Sequence, residues 1–84
     1  MDELQYSVDR FGHLLGEREQ GYAFILGDVY EADGLYGLQL REHPEYMLPE
    51  NETQRLSEII GLPSRKHEFV SRLQREGIRI SSGF

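Results

Sequence analysis

The first apolar residues of the chain recur at the spacing of a helix. Four of them stand at positions i, i+4, i+7 and i+11: Leu4, Val8, Phe11 and Leu15. Residues at these spacings share one face of an α-helix, and a single apolar face is typical of a surface helix that packs on a core. The pattern therefore predicts a helix over roughly residues 2–18.

Two strands joined by a tight turn are predicted next. Residues 22–30 are rich in aromatic and β-branched side chains, and their first half is apolar on both faces, which favours a central strand. Asp33 and Gly34 tolerate the positive φ that a type I′ turn requires. Residues 35–41 then alternate between apolar and small or polar positions. The sequence therefore predicts a β-hairpin.

The second half of the chain predicts two helices and a short strand. Asn51 can cap a helix that follows the loop at 42–50, and Ser64 can cap another over roughly residues 65–76. Residues 78–80, with the sequence IRI, predict a final strand. Such a short strand can be an open sheet edge that pairs with a second copy, so a homodimer is possible.

The predicted order of elements is α-β-β-α-α-β, which makes the fold class α+β. We expect an antiparallel hairpin sheet packed against three helices. A chain of 84 residues is long enough for one domain and too short for two, so residues 1–84 are predicted to form a single domain.

Charge divides the chain into an acidic first part and a weakly basic second part. Residues 1–50 hold eleven carboxylates and three arginines, and residues 51–84 hold four glutamates and six Lys or Arg, for a net charge of −6. A negative chain is repelled by nucleic acid at long range. Cysteine is absent, no apolar run could span a membrane, and the N-terminus is acidic. A cytoplasmic protein is therefore expected.

The sequence offers little for catalysis or metal binding. The histidines, His13, His43 and His67, fall in three different predicted elements, and none has a second ligand type at a spacing that zinc sites use. A glycine-rich phosphate loop and a nucleophile elbow are both missing from the sequence. We expect no enzyme activity, no cofactor and no metal.

The N-terminal half of the chain is densely acidic, and four of the five tyrosines lie between residues 22 and 46. Together they predict a surface that binds another protein. Tyrosine is enriched at interfaces, and carboxylates on a small fold can imitate a phosphate backbone. A small inhibitor or regulator of a nucleic-acid-binding protein fits this pattern. The plainer alternative is that the acids provide solubility and the tyrosines fill the core. The candidate binding residues are Asp28, Tyr30, Glu31, Asp33, Tyr36, Glu42, Glu45 and Tyr46.

The segment 56–80, LSEIIGLPSRKHEFVSRLQREGIRI, resembles a helix-turn-helix, with Leu56, Ser57 and Gly61 at its apolar, small and turn positions. The resemblance implies a small DNA- or RNA-binding domain as the alternative function. Cations in the first turn of a helix are disfavoured by the helix dipole, so their presence there can mark a binding contact. The candidate nucleic-acid contacts are Arg65, Lys66, Arg72 and Arg75.

The order of elements is also similar to the type II K-homology fold. The sequence IIG at 59–61, followed by a helix and then IRI at 78–80, matches part of that fold's core. K-homology domains clamp nucleotides with a GXXG loop. Here the corresponding loop is Gly61-Leu62-Pro63-Ser64, which lacks the second glycine. The resemblance therefore concerns the fold, and the family's binding function is not carried over.

Overall fold

A computed structural model describes residues 4–18, 21–41, 49–60 and 63–84, with the side chains of residues 59 and 60 left out. This part of the chain contains five strands and two helices. In chain order they are β1 (Gln5–Val8), β2 (His13–Glu17), β3 (Ala23–Ala32), β4 (Leu35–Leu40), α1 (Glu50–Ile60), α2 (Lys66–Arg75) and β5 (Arg79–Ile80).

The strands form one curled, mixed sheet in the order β4-β3-β2-β1-β5. The first four strands follow one another as an antiparallel meander. The last strand, β5, returns to lie parallel to β1 at the far edge. Both α1 and α2, of eleven and ten residues, are too short to cross a bilayer.

The helix predicted over residues 2–18 is wrong, and so is a sheet packed against three helices. Strands β1 and β2 form a hairpin instead, with Tyr6 opposite Gly16 and Val8 opposite Leu14. Tyr6, Val8 and Leu14 are buried, whereas Phe11, expected in the core, is 71% exposed. The segment therefore follows the two-residue apolar alternation of a strand. It does not follow the helical spacing that included Phe11.

A tight turn between β1 and β2 explains this outcome. The Asp9 amide donates to the His13 carbonyl and the Gly12 amide donates to the Asp9 carbonyl, both at 3.1 Å. The Asp9 carboxylate accepts hydrogen bonds from the amides of Phe11 and His13, at 2.9 and 2.8 Å. Gly12 has φ +83°, as the third position of a three-residue hairpin loop requires. Asp and Gly at these positions turn the chain where a helix would have to continue.

The predicted hairpin at residues 22–41 is confirmed. Strands β3 and β4 pair in register from Gly27–Leu40 to Ala32–Leu35, joined by Asp33 and Gly34 with φ of +54° and +80°. Positive φ at both turn residues is the type I′ geometry. The central position predicted for the first strand is also confirmed, because β3 lies between β2 and β4.

The two helices complete the core on one side of the curled sheet. Leu56 of α1 and both Phe69 and Leu73 of α2 are buried. They join buried side chains from the sheet and from the segment before β5: Tyr6, Val8, Leu14, Leu26, Leu38 and Ile78. Because these residues come from β1 to β4, from both helices and from the residue directly before β5, the sheet and the helices share one interior.

The predicted helix over 65–76 and the final strand over 78–80 are confirmed as α2 and β5, but the predicted caps are wrong. Arg65 occupies the N-cap position of α2 without a side-chain capping bond. Ser64 instead exchanges two backbone hydrogen bonds with Tyr36, at 2.7 and 3.0 Å. This short bridge fixes the start of α2 against the outer edge of β4. Asn51 lies inside the first turn of α1, which begins at Glu50.

Candidate functional site

A groove of about 250 Å³ opens at one end of the curled sheet. It lies where the β3–β4 hairpin extends past the β1–β2 turn, since pairing between β2 and β3 stops at His13–Asp28 while β3 and β4 pair as far as Ala32–Leu35. We call it the mouth groove. It is lined by Arg10, Phe11, Gly12, Val29, Tyr30, Glu31, Tyr36, Lys66 and Phe84.

One wall of the mouth groove is the β1–β2 turn. The Val29 amide donates to the Gly12 carbonyl at 2.6 Å, which ties the turn to β3. At the tip of the turn, the Arg10 guanidinium lies 4.8 Å from the centre of the Phe11 ring. A cation over an aromatic face is attracted by the ring quadrupole. The turn therefore presents an exposed aromatic ring and a cation side by side.

A second wall is built by the start of α2 and by residues 83–84, where Gly83 lies against the Arg10 side chain of the β1–β2 turn. The Ser64–Tyr36 bridge places Lys66 beside β4. The Lys66 ammonium donates to the backbone oxygen of Phe84 at 2.9 Å, and it lies 5.3 and 5.9 Å from the ring centres of Phe84 and Tyr36. These contacts offset the unfavourable position of a cation in the first turn of a helix.

Three aromatic rings connect the mouth groove to the core. Tyr36 lies 6.2 Å from both Phe69 and Phe84, and those two rings are 6.4 Å apart, measured between ring centres. Such separations allow tilted and edge-to-face packing. Because Phe69 is buried, the Tyr36 and Phe84 rings are held from behind. The aromatic surface on this side of the groove is therefore continuous with the core.

Tyr30 is held in a different way. A side-chain Cβ added at Gly37 would overlap the ring of Tyr30, so this ring covers the glycine opposite it in the hairpin. The Tyr30 side chain therefore packs across its own sheet and still leaves the residue 40% exposed. An aromatic ring over a cross-strand glycine stabilises a hairpin, which gives Tyr30 a structural role as well as an exposed surface.

Next to the mouth groove, contacts between charged side chains connect the β1–β2 turn, β3 and the end of β4. The His13 ring lies 3.0 Å from the Asp9 carboxylate and 4.0 Å from that of Asp28. Arg41 holds Asp28 through two hydrogen bonds of 3.0 and 3.1 Å. The hydrogen bond from Arg41 is the main reason that the pKa of Asp28 is lowered. These contacts tie the β1–β2 turn to β3 and to the end of β4.

Asp9 has a lowered pKa for a different reason. Desolvation acts to raise it, but the hydrogen bonds from the His13 amide, the His13 ring and the Phe11 amide together outweigh desolvation. The carboxylate is therefore held ionised by the turn that it stabilises. Among the described residues, His, Asp and Glu side chains form no group of three that could hold a metal ion.

Five of the eight acidic and tyrosine residues selected from the sequence lie in the part of the chain that the structure describes. Tyr30, Glu31 and Tyr36 line the mouth groove, Asp33 lies at the tip of the β3–β4 turn, and Asp28 is paired with Arg41. The other three, Glu42, Glu45 and Tyr46, lie outside the described residues. A continuous acidic docking face therefore stays a prediction.

The basic residues selected from the sequence separate along α2. Lys66 lines the mouth groove, and Arg65 is exposed directly before it. Arg72 and Arg75 lie in the last turn of the helix. A rise of about 1.5 Å per residue puts Arg75 about 14 Å from Lys66 along the helix axis. One end of α2 therefore contributes to the groove and the other does not.

Five lining residues of the groove were not among the sequence candidates: Arg10, Phe11, Gly12, Val29 and Phe84. Arg10 and Phe11 lie within the segment predicted as a helix, and Phe84 lies beyond the predicted final strand. The order Asp9-Arg10-Phe11-Gly12 carried a usable signal, because Asp at the first and Gly at the fourth position are typical of a turn. No comparable local signal marks Phe84, whose role depends on the return of β5 beside β1.

Comparison of the chain with protein-family models, curated proteins and solved structures gave no match.

Proposed function

We propose that this chain is a non-enzymatic module that binds a protein partner through the mouth groove. The observation that carries the proposal is the side chain of Phe11, which is 71% exposed at the rim of a groove with aromatic and cationic walls. Exposed aromatic rings next to arginine are the composition of binding hot spots. Leaving such a ring in water is unfavourable, and a partner that covers it would recover that free energy.

The size of the groove favours a protein partner over a small molecule. Pockets for small ligands usually enclose ~300–1,000 Å³. The mouth groove, at about 250 Å³ and open to solvent, is smaller. It is large enough to receive one or two side chains of a partner, as the anchor pockets at protein interfaces do.

A cytoplasmic location belongs to the same proposal. A cysteine-free chain is suited to a reducing compartment. Cell fractionation with an antibody to the chain tests this part. Recovery of the chain with periplasmic or secreted proteins would contradict it.

Photo-crosslinking at two matched positions tests the proposed function. Phe11 and Tyr22 are both strongly exposed, at 71% and 67%, but Phe11 lies at the mouth groove and Tyr22 precedes β3 at the other end of the sheet. A benzophenone amino acid replaces each in turn, and the chain is irradiated in a lysate of the organism that encodes it. We expect a discrete protein adduct from position 11 that position 22 does not give.

Two results would contradict the proposal. Equal adduct patterns from positions 11 and 22 would show that the groove has no special role. If nuclease removes the adducts from position 11 and protease leaves them intact, the groove binds nucleic acid.

Binding of single-stranded nucleic acid is the second candidate, favoured by one observation. Lys66 lies beside two aromatic rings, and grooves that bind single strands combine cations with rings on which bases stack. Its test is a gel-shift assay at low salt with the wild-type chain and with Arg65→Glu combined with Lys66→Glu. A shift that the double variant abolishes supports this candidate, and no shift contradicts it.

A further inference from the structure

The mouth groove differs in charge from the rest of the molecule. Its charged side chains are Arg10, Glu31 and Lys66, whose charges sum to +1, in a chain whose charged side chains sum to −6. Arg65 adds a further exposed cation directly before Lys66. An anionic group that approaches this surface is therefore attracted locally, although the molecule as a whole repels it.

The two cations of the groove keep donors available for a ligand. An ammonium has three N–H donors, and in the described contacts Lys66 uses one of them on the Phe84 backbone oxygen. Arg10 is exposed and lies over the Phe11 ring, and no described contact joins it to a carboxylate. By contrast, Arg41 and Arg55 away from the groove are already paired with carboxylates.

Apolar surface lies beside each of these cations. The rings of Phe11 and Phe84 stand beside Arg10 and Lys66 respectively, each within 5.5 Å of its cation. Val29 and Tyr36 complete the apolar lining. A ligand that matches both the cations and the apolar lining has to carry a negative group next to an apolar side chain.

Building on the proposed function, we propose that the mouth groove recognises an acidic peptide segment of the partner, in which a carboxylate lies next to an aromatic or large aliphatic side chain. The apolar side chain enters between Phe11 and the Tyr36–Phe84 surface, and the carboxylate pairs with Arg10 or Lys66. Charge-assisted hydrogen bonds at the rim of an apolar pocket give specificity for the acidic residue.

A polynucleotide fits this surface less well than a peptide. Binding to a phosphate backbone depends on several cations that follow the strand. The groove has two, with Glu31 beside them, and Arg75 lies about 14 Å farther along α2 by helix geometry. A single carboxylate needs only one of the two cations and is exposed to less repulsion from a chain of net charge −6.

Three fluorescein-labelled probes test the inference by fluorescence anisotropy at low salt. The first is the peptide Glu-Asp-Phe-Leu-Glu-Asp, the second is its amide counterpart Gln-Asn-Phe-Leu-Gln-Asn, and the third is a short oligothymidine. The acidic peptide has a carboxylate on each side of its Phe-Leu pair, so it can form one ion pair with Arg10 and one with Lys66. We expect it to bind about tenfold more tightly than the amide peptide, as two such rim ion pairs would produce. Equal binding of the two peptides, no binding at millimolar peptide, or tighter binding of oligothymidine would overturn the inference.

Variants of the exposed cations locate the site. Arg10→Gln and Lys66→Gln should each weaken binding of the acidic peptide several-fold, and Lys66→Arg should preserve it because the charge is kept. Arg75→Gln is the matched control, since Arg75 is exposed at the far end of the same helix and should leave binding unchanged. Circular dichroism verifies that each variant is folded. An effect of Arg75→Gln as large as that of Lys66→Gln would refute the assignment to the groove.

The two proposals fail in different ways. If the peptides bind equally but position 11 still crosslinks a protein, the acidic specificity is wrong and the protein-binding function stands. If position 11 gives no specific protein adduct, both are wrong.

Discussion

Replacing Gly12 by alanine tests the β1–β2 hairpin. The substitution should lower the free energy of unfolding if residue 12 lies in this hairpin, and raise it if residue 12 lies in the helix predicted from the sequence. In the hairpin Gly12 has φ +83°, where a side chain costs about 1–2 kcal/mol. Its Cβ would lie 3.5 Å from that of Val29, an ordinary contact, so no clash adds to this cost. Because alanine lowers the conformational entropy of the unfolded chain, the substitution also adds about 0.4–1 kcal/mol to the free energy of unfolding.

The expected net result for Gly12→Ala is therefore a destabilisation of about 1 kcal/mol. In a helix the same change would stabilise the chain by about 1 kcal/mol. Urea unfolding followed by circular dichroism measures the change in the free energy of unfolding. In thermal unfolding, the melting temperature should fall by about 4–8 °C. Gly12→Asn is the control, because asparagine tolerates positive φ and should recover part of the loss. A more stable Gly12→Ala variant would refute the hairpin.

Three further predictions concern the core, the sheet and the dependence on pH. Leu14→Ala should destabilise the fold by about 2–5 kcal/mol in urea unfolding, since this side chain is fully buried; a loss below 1 kcal/mol would contradict its place in the core. Gly27→Ala should cost about 1–3 kcal/mol in the same assay, because the new Cβ would lie 2.6 Å from the Gln39 backbone oxygen; wild-type stability would contradict the close strand contact. Arg41 lowers the pKa of Asp28 from its ordinary value of 3.8, so the stability from this half-exposed pair should be present above about pH 4 and be lost, by about 0.2–1 kcal/mol, as the pH falls through the folded-state pKa. Asp28→Asn should remove that part of the pH dependence, and an unchanged profile would contradict it.

The hairpin and the C-terminal elements could be predicted because their signals are local. Asp33 and Gly34 specify a turn type by themselves, and β3 and β4 lie directly on either side. Helix α2 combines an apolar face with a glycine stop within one short segment. In each case neighbouring residues determine the structure, so a sequence pattern is sufficient.

The N-terminal strands were missed because two periodicities coincide there. Leu4 and Val8 satisfy the helical spacing, and they also satisfy the two-residue alternation that includes Tyr6. Sheet formation decided between them, since the Asp9–Gly12 turn lets β1 and β2 pair and bury Leu14. Strand preference depends on such pairing partners more than on the segment itself.

The mouth groove could not be read from the sequence because it is assembled from distant segments. Phe11, Glu31, Lys66 and Phe84 meet only after the sheet has curled and β5 has returned beside β1. Of the residues selected in advance, Tyr30, Glu31, Tyr36 and Lys66 reach this site, although they had been assigned to two competing functions.

The affinity of the crosslinked partner for two alanine variants measures how much the mouth groove contributes to binding. Once the protein captured from position 11 is purified, its Kd is measured against the wild-type chain, Phe11→Ala and Tyr22→Ala. We expect Phe11→Ala to weaken binding by about 2 kcal/mol, or about thirtyfold, and Tyr22→Ala to bind like the wild type. Equal losses for the two variants, or a loss confined to Tyr22→Ala, would contradict binding through the mouth groove.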